Sequence, residues 1–341
     1  MTHARRVELI EAFSMSRVRK IYNGPLVLTD LGPALKLNQG RILGLRGDLL
    51  GSLKFPAYEE MLASERIRAL LRDHPDWPLF DGVALSGIEA LSFFACALGR
   101  KLVVVVPWEF PLHLATIHGE VEIIRADEPR ELGYVWKMAQ VLRERKNLIP
   151  VNQAGSPWAL APVGNRVVQE LKAVGIQPDA TVGVMASGGC MYGIQKVLAE
   201  AFPATETILA EHAESSTFDP NLDLRNTEAV KAFAREKLLG YLVRKPPVVP
   251  LSAKNRLFFP IHIELPNRLW LEYLKLTGEV PFDRVVKVTE DAALRLHERL
   301  QQAGFDFGLT TAMALVPATE GAEKENKTYV AVVYSKNQTT T

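Results

Sequence analysis

The sequence predicts an α/β fold of two domains, each a mostly parallel twisted sheet with helices on both faces. Strand-like and helix-like runs alternate along the chain, one strand-like run has almost no polar face, and 341 residues with 48% apolar content are enough for two cores. Taken in order, Arg41 to Arg46 reads as a strand and Ala57 to Asp73 as the helix after it. Gly82 to Leu85 with Glu89 to Leu98, and Lys101 to Val106 with Leu112 to Ile117, repeat that pairing. The run Lys101 to Val106 suits an interior strand buried on both sides. A second series follows: Val167 to Ala173 as helix, Thr181 to Met185 as strand, Tyr192 to Ala201 as helix and Thr207 to Leu209 as strand.

From Asp219 to Pro281 the pattern weakens. Pro246, Pro247 and Pro250 break any helix there, and Arg256 to Glu264 offers only a short strand-like run. Regularity returns with Asp283 to Val288 as a strand and Asp291 to Ala303 as a helix that carries Ala292, Leu296 and Leu300 on one face. Thr328 to Tyr334 reads as a last buried strand, and Ser335 to Thr341 as a polar tail.

Forty basic and thirty-nine acidic residues give a formal charge of +1, with neither sign in a long block. Such a balance argues against a nucleic-acid partner or a membrane surface and for small-molecule chemistry. Cys96 and Cys190 form no CxxC pair, and His3, His74, His113, His118, His212, His262 and His297 show no metal-binding spacing. A reduced, cytoplasmic setting fits. The longest apolar run, Leu102 to Trp108, is too short to cross a bilayer, and Met1 to Glu8 lacks the apolar stretch of a secretion signal, so the chain reads as unprocessed.

Two segments carry chemistry. From Val182 to Gly193 a strand leads through the small residues Ala186, Ser187, Gly188, Gly189 and Cys190 into a helix. Backbone N–H groups at a helix start, the helix dipole and close glycine backbone suit a phosphate. A tight strand–helix turn without a ligand is the alternative. No nucleoside-triphosphate loop and no GxGxxG fingerprint occurs there, which disfavours nucleotides. In the second segment, Arg46 to Glu60, Lys54 follows a glycine–serine turn ahead of a helix. An amine beside Leu53 and Phe55 has its charged form disfavoured, as Schiff-base chemistry requires; a solvated surface lysine is the alternative.

Together these segments resemble the fold type II pyridoxal-phosphate enzymes, the superfamily of cysteine synthase and the tryptophan synthase β-chain. Pro25-Leu26, then Ile42 to Leu50 and Gly51-Ser-Leu-Lys54, resemble the family's opening; Leu85-Ser-Gly-Ile-Glu-Ala90 resembles its substrate-carboxylate loop. Ala97 to Pro107 resembles the strand after that loop's helix, Ala186 to Cys190 the phosphate loop, and Phe282 to Ala292 the late strand and helix. Gly308 to Ala314 resembles the segment that faces the pyridine nitrogen, with Thr310 the better match.

The resemblance implies pyridoxal 5′-phosphate held by Lys54 as the catalytic residue. It implies cofactor contacts from Ala186, Ser187, Gly188, Gly189, Cys190 and Thr310, and substrate contacts from Ser86, Gly87, Ile88, Glu89 and Gln153. It further implies a tryptophan synthase β-like division: 1–40 in a large domain, 41–147 a small mobile domain with the carboxylate loop, 148–341 the rest of the large domain, and a homodimer. The implied chemistry starts from an internal aldimine on Lys54. A neutral Thr310 hydroxyl leaves the ring a modest electron sink, which favours loss of a β-substituent to an aminoacrylate and so β-replacement on a small amino acid. β-Elimination, another enzyme of the class, a non-catalytic relative and a nucleotide-binding fold are the alternatives.

Departures from the family pattern are specific. Ile88 stands where relatives carry an asparagine that contacts the cofactor phenolate, and isoleucine cannot form that bond. Glu89 beside it is expected to cap the helix start. Ala186 and Cys190 replace glycine and threonine, which leaves phosphate binding mostly to the backbone. Asn152 and Gln153 could reach a substrate carboxylate. Lys254, Arg256, Asn267 and Arg268 read as solvated surface, or as contacts to an anionic substrate.

Overall fold

The computed structural model describes residues 28–50, 52–108, 110, 112–127, 131–185, 188–213, 218–219, 221–243 and 264–334. The expectations for Met1 to Glu8, Pro25-Leu26, Gly51, Ala186, Ser187, Pro246, Pro247, Pro250, Lys254, the run from Arg256 and the tail from Ser335 lie outside the described residues. In chain order the elements are β1 (Leu28–Asp30), β2 (Arg41–Arg46), α1 (Lys54–Ala63), α2 (Glu65–Asp73), β3 (Leu79–Gly82), α3 (Leu85–Ala97), β4 (Leu102–Val106), β5 (Val121–Arg125), α4 (Glu131–Glu144) and β6 (Ile149–Pro150). They continue as α5 (Ala161–Ala173), β7 (Ala180–Gly183), α6 (Lys196–Ala201), β8 (Glu206–His212), α7 (Thr227–Val243), α8 (Glu264–Thr277), β9 (Arg284–Val288), α9 (Glu290–Gln302), α10 (Leu309–Glu325) and β10 (Thr328–Val333).

One unit spans Leu50–Ala159. Its four strands run in the order β5-β4-β3-β6, every pair parallel. All five residues of β4 are buried, as an interior parallel strand requires. The single helix expected over Ala57 to Asp73 is two, α1 and α2, because Ser64 takes an extended conformation and its hydroxyl donates to the Met61 carbonyl at 2.6 Å. The helix expected over Leu112 to Ile117 shrinks to a 3-10 turn, Leu112–Leu114, since six residues are too few to repay helix nucleation. β3 ends at Gly82, where the expected strand began, and Leu85 already belongs to α3.

The other unit contains the described residues 28–49 and 160–334. Its six strands run in the order β1-β2-β10-β7-β8-β9, with only β1 antiparallel. α10 is almost wholly buried from Leu309 to Ala322 and packs against β7 and β8; Phe307, Met313 and Tyr329 belong to the same core as Ile42, Val182 and Ile208. The stretch where the sequence pattern weakens holds α7 and α8, which pack on each other through Val230, Ala234, Leu271 and Leu274 with Phe282.

These pairings correct the division expected at 40/41 and 147/148. β2 aligns with β10 from Arg41↔Thr328 to Arg46↔Val333, so it belongs to the six-stranded sheet and the first boundary follows Leu49. β6 pairs with β3 through Ile149, which keeps the chain in the first unit as far as Ala159.

Candidate active site

Lys54 is the first residue of α1 and half-buried, so it is no freely solvated surface group. Its backbone N–H donates to the hydroxyl of buried Ser52 at 3.2 Å, which satisfies one of the donors that a helix start leaves open. One helical turn on, fully buried Tyr58 donates to Asp81 Oδ2 at 3.2 Å. Asp81 sits in β3 and accepts two more bonds, from Gly82 N to Oδ1 at 2.8 Å and from Gln153 N to Oδ2 at 3.0 Å. Burial pushes the Asp81 carboxyl up to about 6, against the lowering effect of its three donors and of the Lys54 charge.

Gln153 is therefore brought to the same side of this unit as α1, against which its turn packs. The turn is set by Asn152, whose φ of 61° is left-handed. The Gln153 amide donates to Gly82 O at 3.4 Å, while its Oε1 is buried with no hydrogen-bond partner among the described residues. An acceptor so placed is available to a ligand donor.

Ser86, Gly87, Ile88 and Glu89 form the opening turns of α3 instead of a loop. Gly87 and Ile88 both donate to the Ala84 carbonyl at 2.9 Å. A Cβ at Gly87 would meet Val83 Cβ at 3.2 Å and Tyr58 Oη at 3.6 Å, so the small residue keeps α3 close to α1. Ile88 is 0% exposed, which takes its side chain out of reach of a ligand. Glu89 does not cap the helix: the N-cap is Ala84, without side-chain bonds, and no acidic residue lies in the first turn. Burial raises its carboxyl above the ordinary range, and the nearby His118 lowers it.

In the other unit, the turn after β7 passes Gly188 at φ 81°, left-handed, and Gly189 at φ −56° before a π-helical turn, Cys190–Gln195, that runs directly into α6. Gly188 O accepts from Tyr192 N at 3.0 Å. Two glycines seat this helix against α5: a Cβ at Gly164 would lie 2.5 Å from Gly193 O, and one at Gly193 would lie 2.8 Å from the Leu160 backbone. The Cys190 thiol is hydrogen-bonded to Tyr334, whose hydroxyl also accepts from Val184 N at 2.7 Å. Cys190 thus has a structural partner in Tyr334.

Thr310 and Thr311 begin α10 and have different surroundings. Thr311 is fully buried and its hydroxyl accepts from Tyr334 N at 3.1 Å. Thr310 is half-buried, and no hydrogen bond engages its hydroxyl among the described residues. Asp81, Tyr58 and Tyr334 were not singled out by sequence reasoning. Their one signal was a charged residue inside the apolar run Leu79 to Leu85.

Two units built on mostly parallel sheets, a half-buried lysine at a helix start and a left-handed glycine turn into a helix are the arrangement that the resemblance to fold type II enzymes led one to expect. The chain belongs to the pyridoxal-phosphate dependent enzyme family, whose model matches residues 89–335. That match takes in Gly188, Gly189, Cys190 and Thr310 and begins beyond Lys54. In fold the chain is similar to cysteine synthase from Entamoeba histolytica, with a TM-score of 0.65 at 15% identity over 92% of this chain and 86% of that one. It is similar to O-acetyl serine sulfhydrylase isoform 3 from the same organism, with a TM-score of 0.65 at 14% identity over 94% and 88%. A hydrogen sulfide-producing enzyme from Fusobacterium nucleatum gives a TM-score of 0.63 at 15% identity over 94% and 96%. No curated protein matches the chain.

The residues present fit pyridoxal phosphate. Lys54 offers an amine out of bulk solvent, Gly188 shapes a turn where an L-residue would be strained, and Gln153 Oε1 is an unfilled acceptor. The chain is a member of a pyridoxal-phosphate-dependent enzyme family, as the resemblance implied. Among the described residues no helix is long and apolar enough to cross a membrane, and no cluster of side chains could hold a metal ion.

Proposed function

We propose that this enzyme catalyses β-replacement on a small amino acid, and the observation that carries the reading is Thr310. A neutral hydroxyl with no hydrogen-bond partner among the described residues, at the start of α10, suits a pyridine nitrogen that stays unprotonated. Bound pyridoxal phosphate supplies an aldehyde carbon and a conjugated ring that accepts electron density from the substrate α-carbon. Thr310, a hydroxyl in place of a carboxylate, would leave the ring a modest electron sink, which would favour loss of a substituent from the substrate β-carbon.

Lys54 would hold the cofactor through its amine and would move the proton at the substrate α-carbon. Backbone donors at Ser187, Gly188, Gly189 and Cys190, with Ala186, hold the phosphate. Ser86, Gly87 and the first-turn backbone of α3, whose dipole favours an anion, hold the substrate carboxylate, and Gln153 takes a substrate donor. The Ile88 position takes part through its backbone, and Glu89 borders the same turn. We further propose that the chain works as a cytoplasmic homodimer without a nucleic-acid or membrane partner.

The test is an absorbance screen of the cofactor-loaded protein against amino acids with β-leaving groups, with and without sulfide. Replacement consumes sulfide and gives a new amino acid; elimination gives a keto acid and ammonia. Lys54→Ala is expected to abolish both the visible absorbance and its response to substrate. Visible absorbance that survives in Lys54→Ala refutes the assignment of that lysine.

A further inference from the structure

We propose that Asp81 is the positioning residue for Lys54, a clamped buried anion that holds the Lys54 amine in place and stabilises its ammonium whenever Lys54 carries a proton. The idea deepens the proposed function and depends on Lys54 being the cofactor lysine. Lys54 and Tyr58 are four residues apart on α1, so their side chains share one helical face. Tyr58 reaches Asp81 at 3.2 Å, which places the carboxylate under that face. Donors from three separate segments fix its two oxygens: Tyr58 on α1, Gly82 at the end of β3, and Gln153 in the turn after β6. So held, the carboxylate cannot swing toward solvent, and its charge is aimed before the reaction begins.

Among the described residues, the titratable groups that act on Asp81 are Lys54 and Tyr58. The strands on either side of β3 offer nothing charged: β4 contributes Leu102 to Val106, and β6 contributes Ile149 and Pro150. The turn contributes Asn152 and Gln153, both neutral. Burial lifts the Asp81 carboxyl to about 6, so at neutral pH it is the anion whose partner charge is Lys54. When Lys54 takes the proton from a substrate α-carbon, the new positive charge forms beside that carboxylate. The proton stays on Lys54 and Asp81 remains ionised.

The test uses the cofactor-free full chain. Pyridoxal phosphate is added across a pH series, borohydride fixes whatever has condensed, and mass spectrometry quantifies the Lys54 peptide. A nearby opposite charge raises an amine pKa by about one unit or more. Asp81→Asn is therefore expected to move the midpoint of Lys54 modification about one unit toward acid, roughly a tenfold gain in rate on the acid side. Asp81→Glu is expected to bring the midpoint back toward wild type, which a loss of packing would not do. Tyr58→Phe keeps the carboxylate but removes a donor that favours its ionised form, so Asp81 is neutralised at higher pH and the acid limb is expected to move toward acid, in the same sense as Asp81→Asn and by less; this variant decides the matter if Asp81→Asn does not fold. Superimposable wild-type and Asp81→Asn profiles, or an unmoved Tyr58→Phe profile when that variant is the one that folds, overturn the proposal. A wild-type chain that is labelled elsewhere and never on Lys54 overturns the cofactor assignment itself, a visibly different result.

Discussion

Asp81→Asn should flatten the pH dependence of stability, and its size follows from the burial of Asp81. The carboxyl moves from 3.8 in the unfolded chain to about 6 in the folded one. Between those values the folded protein keeps a proton that the unfolded chain has released. The stabilisation is therefore complete below the unfolded value and is lost as pH rises through the folded one. At about 1.4 kcal/mol per unit the whole effect is about 3 kcal/mol, of which about 2 kcal/mol falls between about pH 4 and about pH 7. Asparagine titrates nothing. It also turns an NH2 toward at least one of the three donors, a penalty of about 1–3 kcal/mol that does not vary with pH. Urea unfolding of the cofactor-free protein, followed by tryptophan fluorescence, reads mainly the relevant unit, because four of the five tryptophans, Trp77, Trp108, Trp136 and Trp158, lie within Leu50–Ala159 and only Trp270 lies in the other unit. The stability deficit of the variant should shrink by about 2 kcal/mol over that pH range. Parallel profiles, or a deficit that grows with pH, would show that Asp81 is not the buried acid described here.

Gly188→Ala puts a Cβ on a left-handed residue at φ 81°, a strain of about 1–2 kcal/mol, so cofactor affinity measured by titration should fall about tenfold. Gly193→Ala drives a methyl group to 2.8 Å from the Leu160 backbone and should lower unfolding free energy by about 1–3 kcal/mol with or without cofactor. Thr311→Val strands the Tyr334 N–H and should cost about 1–3 kcal/mol in a urea melt, whereas Thr310→Val should leave the melt unchanged and alter the absorbance of the bound cofactor. Ile88→Asn restores the side chain usual in relatives at a position with no exposure. It should destabilise by about 3–5 kcal/mol without tightening cofactor binding, and a tighter complex would show that Ile88 faces the ligand.

The sequence disclosed those strands whose burial leaves an apolar run. β2 was read with its bounds intact, and β4 and β10 to within a residue, because interior parallel strands bury both faces; β9, an edge strand, was read as closely from its valines. β3 was displaced by three residues because it contains Asp81, and a charge inside a buried strand argues against a strand until its donors are known. Those donors come from residues 58, 82 and 153, a separation in sequence that no local pattern records. α7 and α8 escaped notice because their apolar positions pair with each other, and the prolines between them dominated the local reading. At the candidate site, a lysine at a helix start and a glycine turn leading into a helix were legible from the order of the segments and the family resemblance. The burial of Ile88, the occupation of Cys190 by Tyr334 and the different surroundings of Thr310 and Thr311 were not, since each depends on a neighbour distant in the chain.

The departures from the family pattern share a physical logic. Ile88 is buried and cannot hydrogen-bond, and Cys190 is engaged with Tyr334, so in the proposed site neither side chain serves the cofactor and the backbone is left to do so. A phosphate needs N–H groups aimed by a particular φ, and Gly188 with a helix start provides them whatever the neighbouring side chains are. Backbone geometry cannot replace an amine. Covalent attachment needs a lysine whose proton can leave and return near neutral pH, and an isolated half-buried ammonium would be pushed toward its neutral form by desolvation alone. A fixed carboxylate beneath Lys54 offsets that push, so the cost of burying Asp81 in β3 is the counterpart of keeping Lys54 chargeable.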